Sequence, residues 1–421
     1  MYPPISSAAE EAFRRCIRCG MCLPSCPTYV DTQAEVHSPR GRIQLFGALE
    51  RGELEVSPLI AESFAYCLGC YACQTACPAG VPYRHILEEA RDRIEKRYPN
   101  RLKRLLLRGL FPYPGRLRAL ARLLYWIDRS GLRRWAVRTG LLRSLAPGLA
   151  RLEPQMPSLS RRFSRRLIEI RETPSGPSRG RVGFLLGCVM DVAFAETNRA
   201  SVDLLRRAGF SVWTPERQTC CGALHGHNGD RQTAQRLARR TIEAFSAEPI
   251  QAVITNAAGC GAFMKHYAEL LSDDPRWAER AREFQSRVRD LSQWLLECDF
   301  SGPFRPLPVR ATYHDACHHV HAQGIAHQPR ALLGRIPDLQ LLPLEEATWC
   351  CGSAGIYSAL RPEDAERFLE RKLAHIRRSG AQWVITGNPG CILQLRYGIR
   401  RAGLAVEVYH YADVLRWALV P

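Results

Sequence analysis

The sequence predicts a mixed α+β and α/β chain in three parts: an N-terminal helical module, a basic helical connector, and a C-terminal duplicated α/β domain with parallel sheets. Three observations predict this fold class. Two four-cysteine runs of identical spacing lie 51 residues apart near the N-terminus. A segment rich in Leu and Arg follows them. The C-terminal half then repeats one pattern of cysteines after 129 to 131 residues.

The composition is that of a chain that can bury more than one core. The chain has 421 residues, 46% of them hydrophobic and 24% charged, and this length predicts two or more domains. The first residues lack the apolar stretch of an export signal, and Arg interrupts even the most apolar segment every few positions. We therefore expect a cytoplasmic chain that does not span a membrane by itself. In that compartment its 17 cysteines favour metal-bound thiolates over structural disulfides.

The N-terminal module, predicted over residues 1–98, contains the same cysteine run twice. CIRCGMCLPSCP and CLGCYACQTACP both follow the pattern C-x2-C-x2-C-x3-C-P. Bacterial-type ferredoxins use this run to hold two 4Fe-4S clusters, and the fourth cysteine of each run ligates the other cluster. The pattern assigns one cluster to Cys16, Cys19, Cys22 and Cys77, and the second cluster to Cys67, Cys70, Cys73 and Cys26. Zinc is the alternative, but a tetrahedral zinc site leaves the third and fourth cysteines of each run badly placed.

A helix is predicted between the two cysteine runs. Ser38 is a candidate N-cap, and Pro39 suits the first helical position. Arg40 and Arg42 follow at once, and they either offset the charge of a cluster or lie in solvent at the start of the helix. Solvent exposure is the favoured alternative.

The connector, predicted over residues 99–180, is expected to form amphipathic helices. Residues 101–182 contain twenty Arg or Lys against four Asp or Glu, a balance of +16 in a chain of net charge +18. Basic and apolar residues alternate at helical spacing, which suits an anionic membrane surface, a partner subunit, or packing on the protein itself. Nucleic-acid binding is a remote alternative, because Arg interleaved with Leu favours amphipathic helices. We expect no nucleic-acid partner.

The C-terminal half contains two copies of one unit, predicted over residues 181–305 and 306–421. Each copy has a single cysteine, then Cys-Cys-Gly, then a last cysteine, and VITNAAGC in the first copy matches VITGNPGC in the second. Strand-like runs alternate with helical stretches, which predicts parallel sheets with cysteines at the carboxyl ends of strands. The candidate metal ligands are Cys188, Cys220, Cys221, Cys260, Cys317, Cys350, Cys351 and Cys391.

Other roles remain open for these residues. Redox disulfides between the two copies and buried structural thiols are the alternatives to a metal or a further cluster. Cys298, outside the pattern, is expected to lie in the core. Nearby polar residues are candidate hydrogen-bond donors or proton carriers, or else ordinary hydrogen-bonded side chains: His225, His227, His314, His318, His319 and Asp315.

The order of two cluster runs followed by two CCG units resembles a group of redox proteins. Their cysteine-rich domain is shared by heterodisulfide reductase subunits, lactate utilisation proteins, and the iron-sulfur subunits of glycolate oxidase and anaerobic glycerol-3-phosphate dehydrogenase. Nearly the whole chain, from CIRCGMCLPSCPTY through YHDACHHVHAQG to TGNPGC, is most similar to the glycolate oxidase iron-sulfur subunit family. Heterodisulfide reductase subunits end each unit with C-x-x-C, whereas Phe263 and Gln394 stand at that last position here. The resemblance implies two 4Fe-4S clusters, and a further cluster that is either absent or built once from both halves with some other ligand.

The resemblance also implies a function. A subunit of this kind relays electrons singly from a flavin-containing glycolate oxidase subunit toward a membrane quinone. The chain has no G-x-G-x-x-G fingerprint and no P-loop, so we expect no flavin site and no catalytic residue on it. The connector would face the partner or the inner face of the cell membrane. The corresponding subunit of glycerol-3-phosphate or D-lactate oxidation has the same parts and is the alternative.

Overall fold

The computed structural model describes residues 7–157 and 159–420. The predicted fold class is confirmed, since a helical N-terminal region precedes two units in which strands and helices alternate. Among the described residues, no helix is both long enough and apolar enough to cross a bilayer.

The N-terminal region packs short helices around the two cysteine runs. The helices span Ser7–Arg14, Pro27–Thr32, Pro39–Glu50, Pro58–Tyr66, Ala72–Thr75 and Tyr83–Arg97, with a 3-10 turn at Glu35–His37. The predicted N-cap is confirmed, because Ser38 Oγ accepts a hydrogen bond from the Gly41 amide at 2.9 Å. Phe46, Phe64 and Ile86 form the centre of a buried core that also contains Cys67. This core fixes the two cysteine runs relative to each other.

The connector forms a layer of short helices against the first unit. They span Arg101–Gly109, Pro114–Arg129, Leu132–Arg138, Leu141–Leu145, Pro147–Leu152 and Ser164–Leu167, with a 3-10 turn at Glu153–Gln155. Two ion pairs hold the layer in place, Arg108 with Asp230 at 2.8 Å and Arg118 with Asp191 at 2.7 Å. Both carboxylates are almost fully buried, so a part of the basic charge serves attachment to the first unit.

The first unit is built on a five-stranded sheet of order β1-β3-β2-β4-β5. Its strands are β1 (Arg171–Glu172), β2 (Arg181–Phe184), β3 (Ser211–Trp213), β4 (Val253–Thr255) and β5 (Val288–Asp290). Strands β2 to β5 pair in parallel as predicted, whereas β1 adds an antiparallel edge from within the segment predicted as connector. The helices of this unit span Val189–Ala193, Ala195–Arg207, Ala223–Gly226, Arg231–Phe245, Ala258–Met264, Tyr267–Leu270, Pro275–Arg287 and Leu291–Glu297.

The second unit is built on a parallel four-stranded sheet of order β7-β6-β8-β9. Its strands are β6 (Arg310–Tyr313), β7 (Gln340–Leu342), β8 (Trp383–Thr386) and β9 (Glu407–His410). The helices span Cys317–Gln323, Gln328–Leu333, Tyr357–Leu360, Pro362–Ser379, Pro389–Arg401 and Tyr411–Ala418. Its last helix packs against Ala195–Arg207 of the first unit, so the two units share one core. Cys298 lies in that core, as predicted.

The two units are equivalent in register as well as in sequence. The Leu185 amide donates to the Ile254 carbonyl oxygen at 2.9 Å in the first unit, and the His314 amide donates to the Ile385 carbonyl oxygen at 2.9 Å in the second. These paired bonds make Leu185 the structural counterpart of His314. The duplication therefore allows a comparison of the two cysteine sets position by position.

Candidate metal centres

A first cavity, of about 420 Å³ and partly open to solvent, lies between the two cysteine runs. It is lined by all four cysteines predicted for one cluster, Cys16, Cys19, Cys22 and Cys77, and by Cys73 as well. Burial raises the pKa of the Cys22 thiol to about 11. A thiol of raised pKa needs a strong partner before it becomes a thiolate, and a metal supplies one.

The backbone of both runs curls in the same way. Arg18 and Gly69 hold equivalent positions in the two runs, and both have a left-handed φ near 60°. Gly20 and Tyr71 are the next equivalent pair, with φ of 84° and 62°. A left-handed φ is strained for Arg and Tyr, so packing must maintain it. In the second run this backbone conformation directs the Gly69 amide at the Cys67 sulfur, 3.4 Å away. A loop whose backbone N–H groups point inward suits a compact anionic group.

A second cavity, of about 300 Å³, lies deeper in the module. It is lined by the four cysteines predicted for the second cluster, Cys26, Cys67, Cys70 and Cys73. Each cavity therefore has four or more thiols and no carboxylate along its walls, a donor set that fits iron-sulfur clusters.

Arg42 lines the second cavity and is fully buried. The expected solvent exposure is therefore wrong for Arg42. Its guanidinium donates to the Ser63 carbonyl oxygen at 2.8 Å and to Thr28 Oγ1 at 3.1 Å. These bonds hold a positive charge beside the buried thiols. Arg40, in contrast, is partly exposed and pairs with Glu35 at 2.7 Å.

The four cysteines of the first C-terminal unit lie together in one chain of contacts. The thiols of Cys188 and Cys220 are in hydrogen-bonding contact, Cys220 contacts Cys221, and Cys221 contacts Cys260. The contact with Cys220, together with burial, raises the pKa of the Cys188 thiol well above its usual value.

The second unit also gathers its four cysteines and adds an imidazole. Cys317 contacts Cys350, and Cys351 contacts both Cys350 and Cys391. The ligand atoms of His314, Cys351 and Cys391 all lie within 4.8 Å of one another. The contacts with Cys350 and Cys391 hold the pKa of Cys351 well below its usual range. A thiolate at this position is ready to bind a metal.

The second cavity and the second unit are in direct contact. Cys70, from the N-terminal module, and Cys350 belong to one buried apolar cluster, against which Cys317 packs. The charge of Cys317 also contributes to a raised pKa of Cys70, after the larger effect of burial. Cysteines of two different domains thus share one buried cluster.

The same interface contains a group of aromatic and ionisable side chains. The ring of His318 stacks on that of Tyr71 at 5.2 Å and 9°, and the ring of His227 meets both. His227 Nδ1 lies 3.2 Å from Glu88 Oε1. Burial acts against ionisation of Glu88, but the hydrogen bond from His227 and the charge of Arg84 lower its pKa to about 2. A carboxylate and two histidines therefore lie beside the second cavity.

The other candidate residues have structural partners. His319 Nε2 donates to buried Asp290 at 3.0 Å, and His225 Nε2 donates to the Leu107 carbonyl oxygen of the connector at 3.0 Å. Asp315 pairs with Arg330. These contacts explain the burial of the three side chains without a cofactor.

The comparison with known proteins accounts for each part of the chain. A 4Fe-4S dicluster domain matches residues 12–81, the linker region of the glycolate oxidase iron-sulfur subunit matches 99–156, and the CCG cysteine-rich domain matches 182–265 and 311–396. A probable glycolate oxidase iron-sulfur subunit of Bacillus subtilis is 42% identical over 96% of this chain and 94% of its own length. The chain belongs to the glycolate oxidase iron-sulfur subunit family.

Two further relatives show how far the family resemblance extends. The glycolate oxidase iron-sulfur subunit of Escherichia coli is 30% identical over 98% of this chain and 95% of its own length. Lactate utilization protein A of Halalkalibacterium halodurans is 32% identical over 56% of this chain and 96% of its own length. The dicluster match and the two cysteine-lined cavities together support iron-sulfur clusters as the cofactor of this family member.

Several residues at these sites were not predicted from the sequence. Burial of Arg42 and Lys372 beside the thiols, and the contact of Asn388 with the Cys391 sulfur, were not predicted. A comparison of the two copies, aligned at their cysteines, carries the signal for the last two residues. At these positions the second copy has a charged or amide side chain, and the first copy has Thr241 and Ala257.

Proposed function

We propose that this chain is the electron-transfer subunit of a flavin-dependent glycolate-oxidising complex. Oxidation of glycolate to its keto acid releases two electrons and two protons at a flavin on another subunit. This chain receives the electrons one at a time and passes them toward a membrane quinone, which takes up two electrons and two protons. The observation that carries the proposal is that Cys70 of the N-terminal module shares one buried cluster with Cys350, against which Cys317 packs, because this places two cysteine-rich sites next to each other.

The ligands of the two N-terminal clusters are proposed as the crossed sets. Cys16, Cys19, Cys22 and Cys77 hold one cluster, and Cys67, Cys70, Cys73 and Cys26 hold the other. The lining of the two cavities supports this division. Cys73 lines both cavities, so it lies at the shortest route between the clusters.

The connector is proposed to dock on an anionic membrane surface. Its helices leave large apolar side chains in solvent: Leu105 is 71% exposed, Trp126 61%, Trp135 53% and Leu145 77%. Arg surrounds them, and amphipathic helices with Arg, Trp and Leu bind the interface of bilayers that contain anionic lipids. Attachment there brings the chain close to a quinone dissolved in the membrane.

An anaerobic pull-down tests the proposed function. The tagged chain is purified from its source cells, and glycolate is added to the isolated complex while absorbance near 420 nm is followed. We expect a flavoprotein to copurify and glycolate to bleach the iron-sulfur absorbance. A chain that purifies without a flavoprotein, or clusters that stay oxidised with glycolate although dithionite reduces them, would contradict the proposal.

D-Lactate oxidation is the second candidate, because lactate utilization protein A matches 56% of this chain. The same experiment separates the two candidates when D-lactate and glycerol-3-phosphate replace glycolate. Bleaching by one of these substrates alone would assign the chain to that oxidation.

A further inference from the structure

We propose that the second unit alone holds a third metal centre, with His314, Cys351 and Cys391 as ligands, and that the first unit holds none. The relay role of such a centre rests on the function proposed above, whereas the ligand set rests on geometry. Iron is the expected metal, because Cys350, the chain neighbour of the ligand Cys351, shares a buried cluster with Cys70 of a cluster cavity, and a one-electron relay needs a redox-active neighbour.

His314 is the residue that carries the inference. Its side chain is 1% exposed, and its polar contact among the described residues is with the Cys351 thiol, so at least one buried ring nitrogen has no hydrogen-bond partner there. An unpaired buried polar group destabilises the folded state, so such groups are rare without a function. The ring lies beside the Cys351 sulfur, and a metal bound there would satisfy one of its nitrogens.

The first unit lacks this imidazole. Leu185 occupies the position of His314, as shown by the matching hydrogen bonds to β4 and β8. Within the part of the chain that the structure describes, the sulfurs of the first unit form no group of three within 4.8 Å of one another. Their contacts run in sequence from Cys188 to Cys260, as those of the second unit run from Cys317 to Cys391, but Leu185 stands where the second unit adds the imidazole of His314.

The surroundings of the thiols differ in the same direction. In the second unit, Asn388 Nδ2 donates to the Cys391 sulfur at 3.4 Å, and Lys372 is fully buried with its charge near Cys350 and Cys351. The first unit has Ala257 and Thr241 at the corresponding positions, and its donor to a thiol is the Gly222 backbone amide, 3.4 Å from the Cys220 sulfur. Donors and a positive charge stabilise thiolates, which are the form that binds metal.

The equivalence of Lys372 and Thr241 follows from the backbone. Gly352 lies against Ala365, and Gly222 lies against Ala234, at the start of the long helix of each unit. Both glycines have a φ near 90°. Counting along the two helices from these alanines places Lys372 opposite Thr241. The second copy therefore has His, Lys and Asn at its thiols where the first copy has Leu, Thr and Ala.

Metal analysis of paired variants tests the inference. The chain is purified anaerobically, and iron, zinc and acid-labile sulfide are counted per chain. We expect more than about eight irons in the wild type, since two 4Fe-4S clusters account for eight. Cys391→Ser and His314→Leu should lower the count to about eight, whereas the matched variants Cys260→Ser and Leu185→Ala should keep the wild-type count.

Two controls keep the result interpretable. His314→Cys supplies another soft ligand and should retain the third centre, which shows that loss in His314→Leu is not a folding defect. The EPR spectrum of the two reduced N-terminal clusters should be unchanged in every variant. Loss of that spectrum would argue against the assignment of the N-terminal clusters and not against a third centre in the second unit.

Three outcomes would overturn the inference. They are a wild-type count of about eight irons, equal loss of metal from the Cys260→Ser and Cys391→Ser variants, and zinc in place of iron in the second unit.

Discussion

His318 of the second unit donates a hydrogen bond through Nε2 to the carbonyl oxygen of Gly69 in the second cysteine run, at 2.9 Å. Burial, together with the charge of His227, lowers the pKa of His318 to about 3, so the ring is neutral at physiological pH. The ring also stacks on Tyr71. One side chain thus fixes the N-terminal module to the second unit at the place where Cys70 meets Cys317.

Loss of His318 should loosen this junction. We expect His318→Ala to lower the free energy of unfolding by about 1–3 kcal/mol, because the Gly69 carbonyl loses its donor and a cavity forms. We also expect the second cluster to bleach faster in air. Anaerobic denaturant unfolding and the decay of absorbance in air measure the two effects. His318→Gln keeps a donor and should lie closer to the wild type, and equal loss in both variants would contradict the role of the hydrogen bond.

If the fourth cysteine of each run ligates the other run's cluster, mutation of that cysteine should damage the cluster of the other run. Cys77→Ser should alter the cluster held by Cys16, Cys19 and Cys22, although Cys77 belongs to the second run. Cys26→Ser should alter the other cluster. EPR spectra of the reduced proteins distinguish the two clusters, with Cys298→Ser as a control outside both cavities. Damage confined to the cluster of the mutated residue's own run would rule out crossed ligation.

Arg42 is expected to set the reduction potential of the second cluster. Replacement by Met keeps the approximate volume and removes a buried positive charge, which makes addition of an electron less favourable. A unit charge about 5 Å away at an effective dielectric constant near 20 contributes about 3 kcal/mol, or roughly 140 mV for a one-electron couple. Redox titration followed by EPR should show a lower potential for the second cluster. Arg40→Met, at the first cavity, is the matched control, and a shift of the second potential in that variant would show that the effect is not local.

The exposed face of the connector should determine lipid binding. We expect the wild type to sediment with vesicles that contain phosphatidylglycerol, and to be released as salt rises because the Debye length shortens. The double variant Trp126→Ser, Trp135→Ser should bind at least tenfold more weakly, while the fold measured by circular dichroism stays the same. Trp383→Ser, on β8, is the control outside the connector. Equal binding by wild type and double variant would argue instead for a protein partner on this face.

His410 should make the junction of the two C-terminal units sensitive to acid. Its Nε2 donates to the Asn256 carbonyl oxygen at 2.7 Å, and its Nδ1 accepts from the Ala412 amide at 3.1 Å. Burial lowers its pKa to about 4, from 6.5 in a free side chain. The unfolded chain therefore takes up a proton that the folded chain excludes, and stability falls as pH drops from 6.5 toward 4.

Unfolding at several pH values measures this dependence. His410→Gln has no titrating ring, so its loss of stability between pH 7 and pH 5 should be smaller than that of the wild type. Asp413 lies nearby, and burial raises its pKa to about 6, which gives a contribution of opposite sign in both proteins. The difference between wild type and variant removes this shared contribution. Parallel pH profiles would show that His410 does not carry the effect.

The amino-acid sequence by itself determined the parts of this protein. The cysteine spacing is a property of the chain, so it specifies two ferredoxin-type runs and a duplicated unit before any contact is known. The N-cap at Ser38 and the parallel strands follow from local patterns in the same way. Strand β1 was missed because a two-residue edge strand carries no periodic signal.

Only the tertiary structure decided which thiols become neighbours. The common burial of Cys70 and Cys350, the burial of Arg42, and the position of the His314 imidazole beside Cys351 all depend on contacts between segments far apart in the chain. Local patterns carry no information on such contacts, because burial and pairing of a polar group are set by packing of the whole domain. The two copies have equivalent cysteines in the sequence. The folded chain shows that the second copy places the imidazole of His314 and the charge of Lys372 beside them.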